Sequence, residues 1–211
     1  MIGGSGLDAF YPIAPDAVWL ERLVVLGVKT VQLRLKNASG ELVRRQIEDA
    51  LDTCREHGAQ LIVNDFWQAA IAAGADYVHL GQEDLAGTDL AAIRAARVRL
   101  GISTHSVEEL ERALAAQPSY VALGPIYPTR LKVMPWAPQG LERVREWKAR
   151  IGSLPLVAIG GITPERASEV RAAGAESVAV ITDIFADPQP EERVRSWLAW
   201  RERELQARAD R

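Results

Sequence analysis

The sequence contains a single cysteine, Cys54, among 211 residues. One thiol cannot form an internal disulfide and cannot supply the several thiolates of a structural metal cluster. Histidines are also few, with three in the chain, and His79 has no second histidine or cysteine near enough in the sequence for a zinc site. A chain with this cysteine content suits a reducing compartment, so we expect a cytoplasmic protein.

Long apolar runs are absent as well. No segment approaches the roughly 20 apolar residues that a membrane-spanning helix needs, and the first ten residues, MIGGSGLDAF, lack the basic and apolar regions of a signal peptide. The net charge of -3 and the pI near 5.7 argue against a nucleic-acid partner bound through overall charge. We therefore expect neither a membrane nor a nucleic acid as a partner.

Short apolar strands alternate with amphipathic helical segments along the whole chain. The pattern predicts strands at 9–13, 30–35, 60–64, 76–80, 99–103, 120–124, 155–160 and 177–181. It predicts helices at 16–27, 41–57, 66–73, 88–97, 106–116, 138–150, 164–173 and 190–207. Eight such units favour an α/β fold of the (β/α)8 TIM-barrel type, as a single compact catalytic domain over 9–211 after a flexible lead-in at 1–8. A doubly wound open sheet is the alternative.

The second predicted strand has an unusual polar face. In KTVQLRLK, residues 29–36, Gln32, Arg34 and Lys36 alternate with apolar side chains. The outer faces of parallel barrel strands are covered by helices and are normally apolar, so we expect this face to point into the barrel. Two cations there need an anion, and both side chains suit a phosphate. The alternative is that they face the helices and extend to water.

Carboxylates follow the next two strands. Asn64 and Asp65 end the third predicted strand, and Asp84 follows the fourth after the turn residue Gly81. Because the strand ends of a barrel lie together, two carboxylates there suit Mg2+, which also takes ligands from substrate phosphates. Beside Arg34, this pattern predicts a magnesium–diphosphate site. The alternative for each aspartate is capping of the following helix.

The fourth, fifth and sixth strands end in smaller or mobile groups. His79 ends an apolar strand, where it is either a satisfied core histidine or a functional one. Ser103 either orients a heterocycle or caps the next helix. The loop-like stretch LGPIYPTRLKVMPWAPQG, which contains Thr129 and Lys132, is expected to form a mobile basic flap. The alternative is a solvated loop.

The last two strands predict a second anion site. Gly160 and Gly161 follow the seventh strand, while Ile181 and Thr182 end the eighth. Many barrels bind phosphate at this place with main-chain groups, and adjacent glycines permit a close approach. Two phosphorylated substrates, without a nucleophile–base pair, indicate a group transfer in which diphosphate leaves.

Taken as a set, these motifs resemble those of the thiamine phosphate synthase family. The motifs are QLRLK (32–36), LIVNDFWQAAIAAGADYVHLGQEDL (61–85), LGISTHS (100–106), LGPIYPTRLK (123–132), APQGL (137–141) and AIGGI (158–162). The similarity extends from Tyr11 to Ile184, which is nearly the whole chain. Each motif alone is weak, but the combination is specific.

The resemblance implies a barrel enzyme that joins two vitamin precursors. Hydroxymethylpyrimidine diphosphate loses diphosphate, and the ring nitrogen of hydroxyethylthiazole phosphate takes the pyrimidine methylene, through a pyrimidinyl carbocation. The products are thiamine phosphate and diphosphate. The site then stabilises the leaving charge and excludes water.

The resemblance also implies a role for each matching residue. The diphosphate would contact Gln32, Arg34, Lys36 and Asn64, while Asp65 and Asp84 would hold Mg2+. Lys132 would close over the departing charge, and Ser103 would touch the pyrimidine, so that the expected catalytic residues are Arg34, Lys36, Lys132 and Ser103. The thiazole phosphate would be bound by Thr129, Gly160, Gly161, Ile181 and Thr182.

Three departures accompany this resemblance, and one of them is the pair Ala14-Pro15, inserted after the first predicted strand. Leu131 stands where the family often has threonine, and Asp183 is expected to add a negative charge near the thiazole phosphate. A thiazole tautomerase-like isomerase on the same barrel is the alternative function, although it does not need the diphosphate half. A homodimer is one assembly that the sequence allows. The helix at 190–207 is expected to close the barrel with Val194, Trp197, Leu198 and Leu205.

Overall fold

The computed structural model describes residues 6–129 and 138–210, and within them eight parallel strands form one closed barrel in sequence order. The first strand pairs with both the second and the eighth, which closes the ring. The strands are β1 Phe10–Ala14, β2 Thr30–Leu33, β3 Gln60–Asn64, β4 Tyr77–Leu80, β5 Arg99–Thr104, β6 Tyr120–Leu123, β7 Leu156–Ile159 and β8 Ser177–Val180. The predicted (β/α)8 barrel is confirmed, and the open-sheet alternative is wrong.

Helices follow the strands around the outside of the barrel. Within the described residues they are α1 Ala17–Val25, α2 Gly40–His57, α3 Trp67–Ala73, α4 Gln82–Leu85, α5 Leu90–Ala95, α6 Val107–Ala115, α7 Gly140–Ile151, α8 Pro164–Ala172, α9 Thr182–Phe185 and α10 Pro190–Ala209. The one-turn helices α4 and α9 were not predicted because a single turn carries no periodic signal. Across 6–129 and 138–210, none of the helices has the length and apolar character that a bilayer crossing requires.

Local sequence signals explain where several helices begin. Ser106 accepts a hydrogen bond from the Glu109 amide at 3.3 Å and caps α6, as its spacing predicts. Pro164 occupies the first turn of α8, where its missing N–H has no cost. The bounds of β2 differ from the prediction, since the strand ends at Leu33 rather than at Leu35.

The core has two layers that follow from the alternation of side chains along each strand. Inside the barrel lies a cluster that includes Tyr11, Ile62, Tyr77 and Tyr120. Between the strands and the helices lies a larger apolar layer. The alternation therefore places every second strand residue inside the barrel, below the site.

The helix α10 closes the barrel as predicted. The rings of Trp197 and Phe10 stack with their centroids 5.2 Å apart, and Val194 and Trp200 are also buried. The expectation for Leu205 is wrong, because this side chain is 43% exposed. Buried tryptophans on α10 thus belong to the core of the chain itself.

Contacts of Asp8 fasten the start of the barrel to its end. The Arg201 guanidinium donates to the Asp8 carboxylate at 2.7 Å, and Ser177 Oγ donates to the Asp8 carbonyl at 2.6 Å. The Asp8 amide in turn donates to Thr30 Oγ1 at 2.8 Å. Residue 8 therefore packs onto the barrel, while the boundary drawn at residue 9 stays a prediction.

Candidate active site

A cavity of about 1140 Å³ opens at the carboxyl ends of the strands. It brings together most of the predicted site residues, and its lining includes Gln32, Arg34, Asn64, Asp65, Asp84, Ser103, Thr129, Gly160, Gly161, Ile181 and Thr182. Lys36 is exposed and is not part of this lining. Lys132, with its predicted role, and Leu131, noted as a departure, both lie outside the described part of the chain.

The polar face of β2 does point into the barrel. The buried Gln32 amide donates from Nε2 to the Tyr11 hydroxyl at 2.6 Å, and the half-buried Arg34 lines the cavity. The alternation stops there because the strand ends at Leu33. This explains why Lys36, three residues further on, does not share the direction of Gln32.

Two carboxylates meet on the same side of the cavity. Burial, followed by the charge of Asp84, raises the pKa of Asp65 to about 6, although the Arg34 guanidinium opposes this rise. Asn64 Nδ2 donates to Asp65 Oδ2 at 2.5 Å. The capping alternative is wrong, since α3 and α4 begin after Phe66 and Gly81 without a side-chain cap.

This carboxylate pair fits a hard divalent cation. Its donors are oxygens, and a cation between Asp65 and Asp84 would offset both causes that raise the pKa of Asp65, which are burial first and the charge of Asp84 second. The described residues contain no cluster of three or more histidine, cysteine, aspartate or glutamate ligands. Mg2+ suits such a sparse set, because it is usually held by one or two carboxylates together with substrate phosphates.

A buried chain of hydrogen bonds crosses the floor of the cavity. His79 Nε2 lies 2.8 Å from Ser103 Oγ, and His79 Nδ1 lies 2.7 Å from the Tyr120 hydroxyl. The Tyr120 and Tyr11 hydroxyls are 2.9 Å apart. Burial, with a further contribution from Arg34, lowers the pKa of His79 to about 4, so its ring is neutral near pH 7.

Tyr11 and Tyr120, the two tyrosines in this chain of hydrogen bonds, were not predicted as site residues from the sequence. Their positions follow the two-residue alternation that directs strand side chains inward, and that signal could have found them. Sequence analysis also missed the reason for Gly101, where a Cβ atom would lie 2.4 Å from the Tyr120 hydroxyl. Ser103 does not cap α6, because Ser106 does, so that alternative for Ser103 is wrong.

The side of the cavity formed by β7 and β8 is built differently. Gly160 and Gly161 have φ values of +100° and +66°, which residues other than glycine seldom adopt. A Cβ atom on Gly160 would lie 2.5 Å from Pro125 Cβ, and one on Gly161 would lie 2.5 Å from the Pro128 carbonyl oxygen. The two glycines therefore allow the turn after β7 to pack against the loop after β6.

A second group of side chains that sequence analysis missed supports this packing. The Tyr127 hydroxyl donates to Glu169 Oε1 at 2.5 Å. The Arg166 guanidinium lies 4.8 Å from the centre of the Tyr127 ring and donates to the Gly161 carbonyl at 3.3 Å. Arg166 also lines the cavity, so it brings a positive charge to the side on which the second phosphate was predicted.

Asp183 lies at the cavity as expected, and its carboxylate is paired. Arg193 donates to both carboxylate oxygens of Asp183 at 2.8 and 2.9 Å, and Trp197 Nε1 donates to Oδ2 at 2.8 Å. The sequence could not show that a residue ten positions further on pairs with this carboxylate. Asp183 thus lines the cavity and also forms an ion pair that joins α9 to α10.

The fold and the cavity together define a class of protein, a barrel enzyme that handles phosphorylated small molecules. Its strand ends carry paired carboxylates and an arginine on one side, and glycines, a threonine and a second arginine on the other. This is the arrangement expected of an enzyme that binds anionic substrates at a barrel mouth.

Comparisons with known proteins identify the family. The thiamine monophosphate synthase family profile matches residues 10–184. The chain is 58% identical to the thiamine-phosphate synthase of Rhizobium etli over 193 residues, which cover 92% of this chain and 95% of that protein. It is 48% identical to the thiamine-phosphate synthase of Neisseria meningitidis serogroup A over 190 residues, covering 90% and 93%. The chain belongs to the thiamine monophosphate synthase family, and the resemblance noted in the sequence is confirmed.

A solved structure supports the same assignment. The thiamine phosphate pyrophosphorylase from Pyrococcus furiosus superposes with a TM-score of 0.80 at 26% sequence identity. The superposition covers 94% of this chain and 97% of that one. The barrel fold is therefore shared along nearly the whole length of both chains.

Proposed function

We propose that this chain joins hydroxymethylpyrimidine diphosphate to hydroxyethylthiazole phosphate, with release of diphosphate and formation of thiamine phosphate. The observation that carries this proposal is the meeting of Asp65, Asp84 and Arg34 on one side of the cavity. An isomerase acting on a thiazole phosphate has no use for such a group, which is suited to a diphosphate with its counter-ion.

On the diphosphate side, the residues have distinct tasks. Arg34 offers a fork of N–H donors to the phosphate oxygens, and the Asn64 amide, which donates to Asp65 at 2.5 Å, orients that carboxylate. Gln32 lies deeper and is held by Tyr11. Lys36 is placed in this group by the sequence alone, and it would have to turn toward the cavity to reach the ligand.

Asp65 and Asp84 would hold Mg2+, which supplies positive charge to the diphosphate when bound. The protein side chains bind and orient the pyrimidine ester so that its methylene carbon faces the thiazole nitrogen. The C–O bond of the ester breaks, the electron pair leaves with the diphosphate, and a pyrimidinyl cation remains. The lone pair of the thiazole nitrogen then forms the new C–N bond to the methylene carbon of this cation. Lys132 would meet the departing charge, and the site would exclude water from the pyrimidinyl cation.

The remaining residues would serve the two rings and the second phosphate. Ser103 would contact the pyrimidine from the floor of the cavity. Thr129, Thr182 and the main chain around Gly160, Gly161 and Ile181 would take the thiazole phosphate. Arg166 is added to this group because it lines the same side of the cavity.

The test is an assay of the purified protein with both substrates, with and without Mg2+, that follows thiamine phosphate. We expect product that requires both substrates and the metal. If thiazole phosphate binds but no product forms, and the isomeric thiazole is converted instead, the tautomerase alternative replaces this proposal. The variant Asp84→Asn should raise the Mg2+ concentration needed for half-maximal rate, and an unchanged requirement would contradict the metal assignment.

A further inference from the structure

Five side chains from five different strands form one continuous hydrogen-bonded chain under the cavity. In order they are Gln32 on β2, Tyr11 on β1, Tyr120 on β6, His79 on β4 and Ser103 on β5. The successive distances are 2.6, 2.9, 2.7 and 2.8 Å. These hydrogen bonds link Gln32, on the proposed diphosphate side, to the hydroxyl of Ser103, which is proposed to contact the pyrimidine.

The direction of this chain can be derived from its first member. The Gln32 amide nitrogen can only donate, so the Tyr11 oxygen accepts. The single hydrogen of Tyr11 then has the Tyr120 oxygen as its partner. If Tyr120 donated instead, the Tyr11 hydrogen would lack an acceptor among the described contacts, which is costly for a group that is 1% exposed.

The directions of the remaining hydrogen bonds, from Tyr120 to Ser103, follow in the same way. With its oxygen accepting from Tyr11, Tyr120 donates its hydrogen to His79 Nδ1. The neutral His79 ring then carries its proton on Nε2 and donates it to Ser103 Oγ. The Ser103 oxygen accepts this bond, so its own hydrogen is left to point into the cavity.

We propose that this chain of hydrogen bonds makes Ser103 a dedicated hydrogen-bond donor to the pyrimidine. Tyr11, Tyr120 and His79 are its positioning residues. The identity of the ligand rests on the proposed function, whereas the direction of the chain does not. A donor that is fixed in this way selects a ring that presents a nitrogen lone pair, and it disfavours one that presents a C–H or N–H there.

The packing around Tyr120 supports a dedicated role. Gly101 leaves the space that the phenol occupies, because a Cβ atom at residue 101 would lie 2.1 Å from Tyr120 Cζ. The Tyr120 ring also stacks on His79 and meets Tyr77 edge-on, with centroids 5.5 and 5.6 Å away. The hydroxyl is thereby held at the junction of the Tyr11 and His79 bonds.

The direction can be tested without any substrate. The protein has three histidines. Two of them carry a proton on Nδ1, because that nitrogen faces an acceptor. His57 Nδ1 lies 3.0 Å from the Thr53 carbonyl oxygen, and His105 Nδ1 lies 2.8 Å from the Glu109 carboxylate. Long-range 1H–15N spectra of histidine-labelled protein should show His79 alone with a bare Nδ1. A His79→Gln variant identifies its signal. A proton on Nδ1 of His79 would overturn the proposed direction.

A double-mutant cycle tests whether Tyr120 acts through Ser103. Tyr120→Phe removes only the hydroxyl and should lower kcat/KM for the pyrimidine diphosphate about tenfold, with a much smaller change for the thiazole phosphate. Tyr120→Phe combined with Ser103→Ala should be no worse than Ser103→Ala alone. If the two losses multiply, Tyr120 does not act through Ser103 and the proposal fails.

The matched control is Tyr77→Phe. Tyr77 is an equally buried phenol inside the barrel, it touches Tyr120 edge-on, and it takes no part in the chain. We expect the kcat/KM of Tyr77→Phe to change less than about twofold, and a loss as large as that of Tyr120→Phe would assign the effect to packing. If the unmodified protein made no thiamine phosphate, the proposed function would fail while the histidine spectra still decided the direction of the chain.

Discussion

The two sides of the cavity differ in what they are made of. The side formed by β2, β3 and β4 consists of charged and polar side chains, with Arg34, Asn64, Asp65 and Asp84 within one region. The side formed by β7 and β8 depends on two glycines that pack against the loop after β6. One side would bind its phosphates with side-chain charge, and the other mainly with main chain and shape.

This difference leads to different expected sensitivities. Charge removed from the first side should change metal use and turnover while leaving the fold intact, because Asp65 and Asp84 make no capping bond to a helix. A side-chain atom added at Gly161 should disturb packing first and binding second, because a Cβ atom there would lie 2.5 Å from the Pro128 carbonyl oxygen. Substitutions matched across the cavity can separate these effects.

The largest effect is expected for Asp65→Asn. Loss of one of two paired carboxylates should lower kcat/KM by about 100-fold, as for loss of a directed electrostatic contact at a reacting centre, and it should raise the Mg2+ concentration required. The measurement is the initial rate over a range of Mg2+ concentrations. Asp187→Asn provides the control, since Asp187 is a carboxylate that lines the same cavity on the β8 side. If Asp65→Asn and Asp187→Asn changed the required Mg2+ concentration equally, the proposed difference between the two sides of the cavity would be contradicted.

A smaller effect is expected for Gly161→Ala. The added methyl must move the Pro128 carbonyl, which would lie 2.5 Å away, and it must also adopt a φ of +66°. We expect KM for the thiazole phosphate to rise about tenfold and the free energy of unfolding to fall by about 2 kcal/mol, with the Mg2+ requirement unchanged.

Gly58→Ala separates backbone strain from contact in this comparison. Gly58 ends α2 with a φ of +61° and has nothing within 4 Å of a Cβ atom. This variant should lose about 1 kcal/mol of unfolding free energy and keep the KM of the parent protein. If Gly161→Ala behaves in the same way, the packing of the turn against the loop has no part in binding.

How much the sequence could predict also differs between the two sides. Strand periodicity placed Gln32 and Arg34 inside the barrel, and the acidic strand ends placed Asp65 and Asp84 together, because these signals are local and lie in side chains. The partner of Asp183 is on another helix, and the contact that requires glycine at 161 comes from a loop 33 residues earlier. Such tertiary contacts leave no periodic pattern. The role of Lys36 stays a prediction, because nothing in the alternation marks the end of β2 at Leu33 and Lys36 lies beyond that end.

A further prediction concerns the metal-free protein. The folded-state pKa of Asp65 is raised from 3.8 to about 6, so ionisation of Asp65 opposes folding, and this loss of stability develops as the pH rises from about 4 to about 6. At pH 7 without metal, Asp65→Asn should therefore raise the free energy of unfolding by about 1 kcal/mol, a value reduced for the partial exposure of the group.

Urea denaturation of both proteins at pH 7 and at about pH 3.5 checks this expectation. The advantage of Asp65→Asn should nearly vanish at the lower pH, where the carboxyl is protonated in the folded state and mostly protonated in the unfolded state. Added Mg2+ should stabilise the parent protein more than the variant. A variant that is less stable than its parent at pH 7 would show that ionisation of Asp65 does not oppose folding.

The smallest effect on binding is expected for Asp183→Asn. Because Arg193 pairs with this carboxylate and Trp197 donates to it, little of its charge should reach a phosphate at the neighbouring Thr182. We expect KM for the thiazole phosphate to change less than about twofold, and the free energy of unfolding to fall by about 1 kcal/mol from loss of the ion pair. Thr182→Val, one residue away, should raise the same KM about tenfold. A several-fold gain in affinity for Asp183→Asn would mean that the pair leaves a negative field at the phosphate, and that charge shapes the β8 side as it does the β2 side.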